Sequence, residues 1–184
     1  VWLGWSLGGM LALAAAAAAP ERVTALVSVA ASPSFVARAE WPYGMARENL
    51  ERMAEQLREG PEQTVSDFLT LQVLSSRGGR EALKHLKSAL NARGMASAKA
   101  LGDGLNFLET LDLRPALTAI RTPVLAVAGA RDRLVQPAAV RALAALVPNG
   151  EMTLFDSAAH APFLSHRSEF AERVDDFLRR RDVP

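Results

Sequence analysis

The 184 residues contain no cysteine, a single tyrosine and no excess of either charge. Without cysteine there is no disulfide framework, no thiol nucleophile and no thiolate metal site. A net charge of +1 gives no global field that would draw the chain to nucleic acid or to a membrane surface. The longest apolar stretch, at the start, falls short of the about 18–20 residues that a membrane span needs. What remains is a chain 49% hydrophobic and 22% charged, the make-up of one globular domain with a sizeable core, and the absence of cysteine agrees with the expectation of a cytoplasmic location. The apolar opening V-W-L-G-W-S-L-G-G-M-L-A-L and its run of alanines also resemble a secretory signal. No basic residue precedes the run, however, and Gly4, Ser6, Gly8 and Gly9 interrupt it.

Short apolar runs alternate with helical periodicity. Residues 1–5 read as the end of a strand, and 7–19 as an Ala-rich helix stopped by Pro20. Residues 23–30, 123–129 and 151–155 read as strands, the first two apolar with little alternation as in a buried parallel sheet. Residues 137–147 form a helix with proline at its start, and 168–181 a closing helix with Phe170, Val174, Phe177 and Leu178 on one side. The pattern predicts an α/β fold, a mostly parallel sheet flanked by helices.

The middle breaks this alternation. Between Trp41 and Asp112 there are only helical patterns, over 45–58, 62–75, 80–93 and 97–111, each set off by Gly or Pro. The expected organisation is a core over 1–40 and 113–184 with an all-helical cap over 41–112. The competing view of the same segment is a helical subdomain with no covering role.

Chemistry enters at Gly4-Trp5-Ser6-Leu7-Gly8-Gly9, a G-x-S-x-G placed between a strand and a helix. Small residues two before and two after the serine are expected, because the backbone passes close to itself in such a turn. Ser6 is then the candidate nucleophile, and the Leu7 N–H, at the start of a helix, a donor to a developing oxyanion. The bland alternative is a glycine-rich turn with a capping serine. A serine needs a base. His85 lies in a charged helix and His166 at the start of the last helix, where surface or capping roles are expected. His160 lies in a small-residue loop after the last strand, at the carboxyl end where α/β sites lie. The third member is a carboxylate that orients the ring. Asp132, just past another strand, fits, with a local pair to Arg131 or Arg133 as its alternative role. Asp156 is the competitor, but it leaves its strand so close to His160 that capping the loop suits it better. Ser6, Asp132, His160 is the order of triad residues in α/β-hydrolases. No cofactor and no metal are called for.

V-W-L-G-W-S-L-G-G at 1–9, P-E-R-V at 20–23, E-W-P at 40–42, F-L-T-L-Q at 68–72 and A-A-H-A-P-F-L-S-H at 158–166 resemble the BioH family. These are the pimeloyl-[acyl-carrier-protein] methyl ester esterases of biotin synthesis, within the α/β-hydrolase superfamily. The resemblance implies hydrolysis of a methyl ester on a carrier-bound pimeloyl chain, through Ser6, Asp132, His160 and the Leu7 N–H. It also implies that Phe68, Leu69, Thr70, Leu71 and Gln72 line the acyl channel, where their other role is simply the core of a helical segment.

Between Glu40 and Asp67 there are seven acidic residues against three basic ones, and between Arg77 and Lys99 six basic against one acidic. Arg80, Lys84 and Lys87 share one helical face, with Arg77 before them, while Leu83, Leu86 and Leu90 occupy another. This basic stripe suits docking of an acidic carrier protein; an ordinary solvated face is the alternative. Gln63 and Asp67 stand where the family has basic residues, so docking is expected to be shifted or weakened, and a looser preference for short free esters is a further reading. The family also has strands before the elbow, including a loop with a second oxyanion donor. The expectation is that these residues are the C-terminal part of a longer enzyme, monomeric when complete and weakly active without that part. Two other functions compete with the esterase: the same triad doing enol-lactonase, C–C hydrolase or acyltransferase chemistry, and a non-catalytic binding protein of the same fold.

Overall fold

The computed structural model describes residues 1–181. Four short strands, β1 (Trp2–Trp5), β2 (Leu26–Val29), β3 (Val124–Gly129) and β4 (Gly150–Phe155), form one sheet in the order β1-β2-β3-β4 with every pair parallel. Parallel neighbours need crossovers, and helices supply them. Helix α1 (Leu7–Ala18) links β1 to β2, and α7 (Pro137–Leu146) links β3 to β4. Between β2 and β3 lie α2 (Arg47–Glu59), α3 (Pro61–Val73), α4 (Gly79–Arg93), α5 (Ala98–Thr110) and the single turn α6 (Arg114–Leu117). The chain closes with the turn α8 (Pro162–Ser165) and α9 (Arg167–Arg179).

Both faces of the sheet are covered, which is why β3 is apolar throughout and β2 is apolar but for the buried Ser28. Leu26, Val124, Ala126 and Ala128 face a core shared with Met10 and Leu13 of α1, Leu117 of α6, and Val140 and Leu143 of α7. Val27, Val29, Leu125 and Val127 face the other way, onto Phe155 and onto Phe170 and Phe177 of α9. The Ala-rich side of α1, with Ala12 and Ala16 buried, brings that helix close to the sheet. The strand expected over 23–30 is shorter than its apolar run. A 3-10 turn at Pro20–Arg22 delivers the chain, and only Leu26–Val29 pair on both sides. The closing segment begins earlier than its periodicity indicates, because Pro162 starts the separate turn α8 before α9. β1 and β4 are the sheet's edges among the described residues, and Val1, Trp2 and Leu3 are exposed beside β1.

The helical insertion leaves and rejoins the core at one neck. Ser34 bridges Asp112 there, and the Asp112 carboxylate takes the Arg114 guanidinium at 2.7 and 2.8 Å with Arg38 at 3.6 Å. The hydrogen bond from Arg114 outweighs the cost of burial and holds the Asp112 carboxyl below the usual aspartate range. Within the insertion α2 packs on α3 and α5, and α4 packs on α3; α4 also packs on α8 of the closing segment. Burial is thin: Leu50 is the one buried residue of α2, and α5 has none.

Candidate active site

Three loops meet at the carboxyl ends of the strands. Ser6 follows β1 directly with φ 55° and ψ −122°, a backbone that residues other than glycine seldom adopt. The conformation is held from several directions. The Ser6 N–H donates to the Val29 carbonyl at 2.9 Å, and its own carbonyl accepts from the Gly9 and Met10 N–H groups at 2.9 and 3.1 Å. A Cβ on Gly4 would lie 2.3 Å from the Gly8 carbonyl oxygen, and one on Gly9 would lie 2.7 Å from the Ala31 Cβ. A Cβ on Gly8 would meet nothing within 4 Å. The small-residue requirement expected at the second position on either side of Ser6 therefore holds before it, but shifts to Gly9 after it. Leu7 opens α1, so its N–H has no acceptor within that helix.

The loop after β3 carries Asp132. Its Oδ1 accepts from the N–H groups of Leu134 and Val135 at 2.8 and 3.0 Å, leaving Oδ2 for the Nδ1 of His160 at 2.8 Å. Both side chains are 1% exposed. The local pair with Arg131 or Arg133 does not form among the described residues, and the Arg131 guanidinium donates instead to the Ser75 carbonyl at 3.3 Å. A buried carboxylate on Nδ1 fixes the tautomer with the proton on that atom, and turns Nε2 into a lone-pair acceptor. That Nε2 is buried and has no hydrogen-bond partner among the described residues.

The loop after β4 is pinned at its backbone. The His160 N–H donates to the Gln72 carbonyl at 3.0 Å, and its carbonyl accepts from the Trp5 Nε1 at 2.8 Å. The Trp5 ring also packs against the imidazole and against Phe163, with centroids 5.6 and 5.1 Å apart. Gly129, the last residue of β3, permits this approach: a Cβ there would lie 2.1 Å from the Ala159 carbonyl oxygen.

The other candidates fall differently. Asp156 is exposed and, among the described residues, forms no side-chain hydrogen bond, so it caps nothing. His85 is exposed and pairs with Glu81 at 3.2 Å. His166, expected at the surface or as a cap, is half-buried. Its ring lies between the Ser157 and Ser165 hydroxyls at 2.7 and 2.8 Å, edge-on to Phe155. Of the F-L-T-L-Q residues, Phe68 and Leu71 line a groove of about 880 Å³ with Met45, Met53 and Leu134, whereas Leu69 and Thr70 do not. Gln72 is buried with its Oε1 unpaired among the described residues. Neither this groove nor the cavity of about 590 Å³ between α2 and α5 is lined by Ser6 or His160. Arg77, Arg80, Lys84 and Lys87 are exposed along the start and one face of α4, and none has an acidic partner among the described residues. Leu83 and Leu86 turn inward onto Ala161 and Phe163. No group of three potential metal ligands occurs among the described residues.

Trp5, Gly129 and Ser76 belong to this site without having stood out in the sequence. Gly129 carried a signal, as a glycine ending an otherwise apolar strand; the indole of Trp5 and the hydroxyl of Ser76, which accepts from the Ala159 N–H at 2.6 Å, did not.

The sequence profile of the alpha/beta hydrolase fold matches residues 1–167. A pimeloyl-[acyl-carrier protein] methyl ester esterase of Xanthomonas campestris is 43% identical over 97% of this chain and 70% of its own length. One of Klebsiella pneumoniae is 46% identical over 94% of this chain and 66% of its own. The chain belongs to this family of α/β-hydrolases. It spans about two thirds of the length of these relatives. Among solved structures, an esterase from Exiguobacterium antarcticum superposes with a TM-score of 0.86 at 23% identity, covering 96% of this chain and 65% of its own. The enol-lactonase from Burkholderia xenovorans gives 0.81 at 19%, covering 96% and 64%. These two likenesses establish the fold.

Proposed function

We propose that the chain is a serine carboxylesterase acting on the methyl ester of a pimeloyl chain carried by acyl carrier protein. The observation that carries the reading is the buried His160, with Nδ1 held by Asp132, Nε2 left unpaired among the described residues, and its ring packed against Trp5, the residue before Ser6. In the reaction Nε2 takes the Ser6 hydroxyl proton as Oγ attacks the ester carbonyl. The Leu7 N–H donates to the resulting oxyanion. Collapse expels the methoxy group, which takes the proton back from His160 and leaves as methanol. Water, deprotonated by the same nitrogen, then attacks the acyl-enzyme and frees the carboxylic acid and Ser6.

Substrate reading rests on the family and on two surfaces. The helical insertion over 41–112 acts as a cap, and Phe68 and Leu71 supply apolar wall for the acyl chain, with Leu69, Thr70 and Gln72 on the same helix. The exposed cations Arg77, Arg80, Lys84 and Lys87 present positive charge to an acidic carrier. A second reading, hydrolysis of short free esters, is favoured by the Gln63 side chain donating to Asp67 at 2.8 Å, which sets a carboxylate rather than a cation on the face of α3.

Both readings are tested by incubating the protein with pimeloyl-carrier methyl ester and, separately, with a short aryl ester. Free acid formed from the carrier ester, and lost in Ser6→Ala and His160→Ala, is the expected result. Turnover of the aryl ester alone selects the second reading. A fluorophosphonate that leaves Ser6 unmodified overturns both.

A further inference from the structure

The segment from the end of α3 to the start of α4 touches both triad loops. The Ser75 hydroxyl donates to the Arg131 carbonyl at 3.0 Å, beside Asp132, and the Arg77 N–H donates to the Ser157 carbonyl at 2.9 Å. The Gln72 carbonyl accepts the N–H of His160 itself. Between these, the Ala159 N–H donates to the Ser76 hydroxyl at 2.6 Å, in a place where both residues are buried. The other bonds use backbone groups that any residue supplies, or an exposed hydroxyl. Ser76 alone brings a buried side chain to the residue immediately before His160.

We infer that Ser76 is a positioning residue for His160. Its hydroxyl is the only hydrogen-bond partner of the Ala159 N–H among the described residues. Removing it would strand a buried donor, which costs more than a hydrogen bond is worth on balance. The loop escapes that cost by turning the Ala158–Ala159 peptide toward another acceptor, which also draws the Ala158 carbonyl away from the Arg131 N–H it accepts from at 2.9 Å. The imidazole is carried by the next residue along, so a turn of that peptide is passed on to it, while Asp132 is fixed separately by Leu134 and Val135. Rotation therefore moves the ring relative to both Asp132 and Ser6. The helical insertion would then do more than cover the site, since the segment that starts α4 sets the aim of the base.

The inference rests on the serine-hydrolase reading only for its kinetic consequence, so the test has a second readout. Ser76→Ala should keep its circular dichroism while the rate of fluorophosphonate labelling of Ser6 falls about ten- to a hundredfold, the scale of a small misplacement of a catalytic group. The Nδ1 proton and ring ¹⁵N resonances of His160 should shift as the bond to Asp132 weakens. Ser76→Thr, which keeps the acceptor, should restore both. Unchanged His160 resonances in Ser76→Ala overturn the inference, even if Ser6 is never labelled; absent labelling in the unsubstituted protein overturns the hydrolase reading alone. Should Ser76→Ala fail to fold, amide exchange decides: an Ala159 N–H that exchanges as fast as exposed loop amides overturns the inference, and a protected one supports it.

Discussion

The indole nitrogen of Trp5 lies 2.8 Å from the carbonyl oxygen of His160, so the residue preceding the candidate nucleophile grips the backbone of the candidate base. The loops of Ser6 and His160 are thus joined to each other as well as to the sheet.

Replacing Trp5 by Phe should test that link. The aromatic packing against Phe163 survives in large part, but the donor is gone. A net hydrogen-bond contribution of about 0.5–1.5 kcal/mol predicts that labelling of Ser6 slows by about two- to tenfold with little change in circular dichroism. Labelling at the original rate would show that the link is idle.

Asp132→Asn should separate orientation from folding. The amide oxygen can still accept from Leu134 and Val135, so the thermal midpoint should stay close. The imidazole would lose the carboxylate that fixes its tautomer, and the rate of Ser6 acylation should fall by about 10⁴-fold. A loss of tenfold or less would remove Asp132 from the triad.

The glycines make a paired prediction. Gly4→Ala and Gly129→Ala would each press a methyl group into a carbonyl oxygen closer than any contact allows. Overpacking of this kind costs about 1–3 kcal/mol, read as a lowered denaturant midpoint. Gly8→Ala, with open space around it, should be within about 0.5 kcal/mol of neutral or slightly stabilising inside α1. Equal destabilisation at Gly4 and Gly8 would contradict the geometry of the turn.

The neck of the insertion predicts a pH dependence. Arg114 holds the Asp112 carboxyl below its unfolded value, so the pair stabilises the fold above that unfolded value. The contribution is lost as pH falls through the lower, folded value. Asp112→Asn should therefore lower the thermal midpoint at neutral pH and flatten its fall in acid. A parallel shift at every pH would show that the carboxylate charge plays no part.

Much of this was legible in the residues because strand, turn and helix write different periods. Val124–Gly129 and the four helices of the insertion lie within a few residues of where their patterns put them. Ser6, Asp132 and His160 could be singled out because each follows a strand of a parallel sheet, where side chains converge. What stayed hidden depends on distances between segments far apart in the chain. Nothing local to Ser76 records that Ala159 will lie above it, and nothing near His166 says that Ser157 will fold back onto its ring. Gly8 misled for the opposite reason: its place in the motif implied crowding that its neighbours, Gly4 and Gly9, bear instead.

The parallel order of the sheet sets a timetable as well as a geometry. Ser6 and His160 are separated by 160 − 6 = 154 positions in the chain. At about 5–20 residues per second of synthesis, Ser6 emerges roughly eight to thirty seconds before His160. Under the proposed mechanism the serine is an ordinary alcohol through that interval, and it gains its base only when the last crossover has closed.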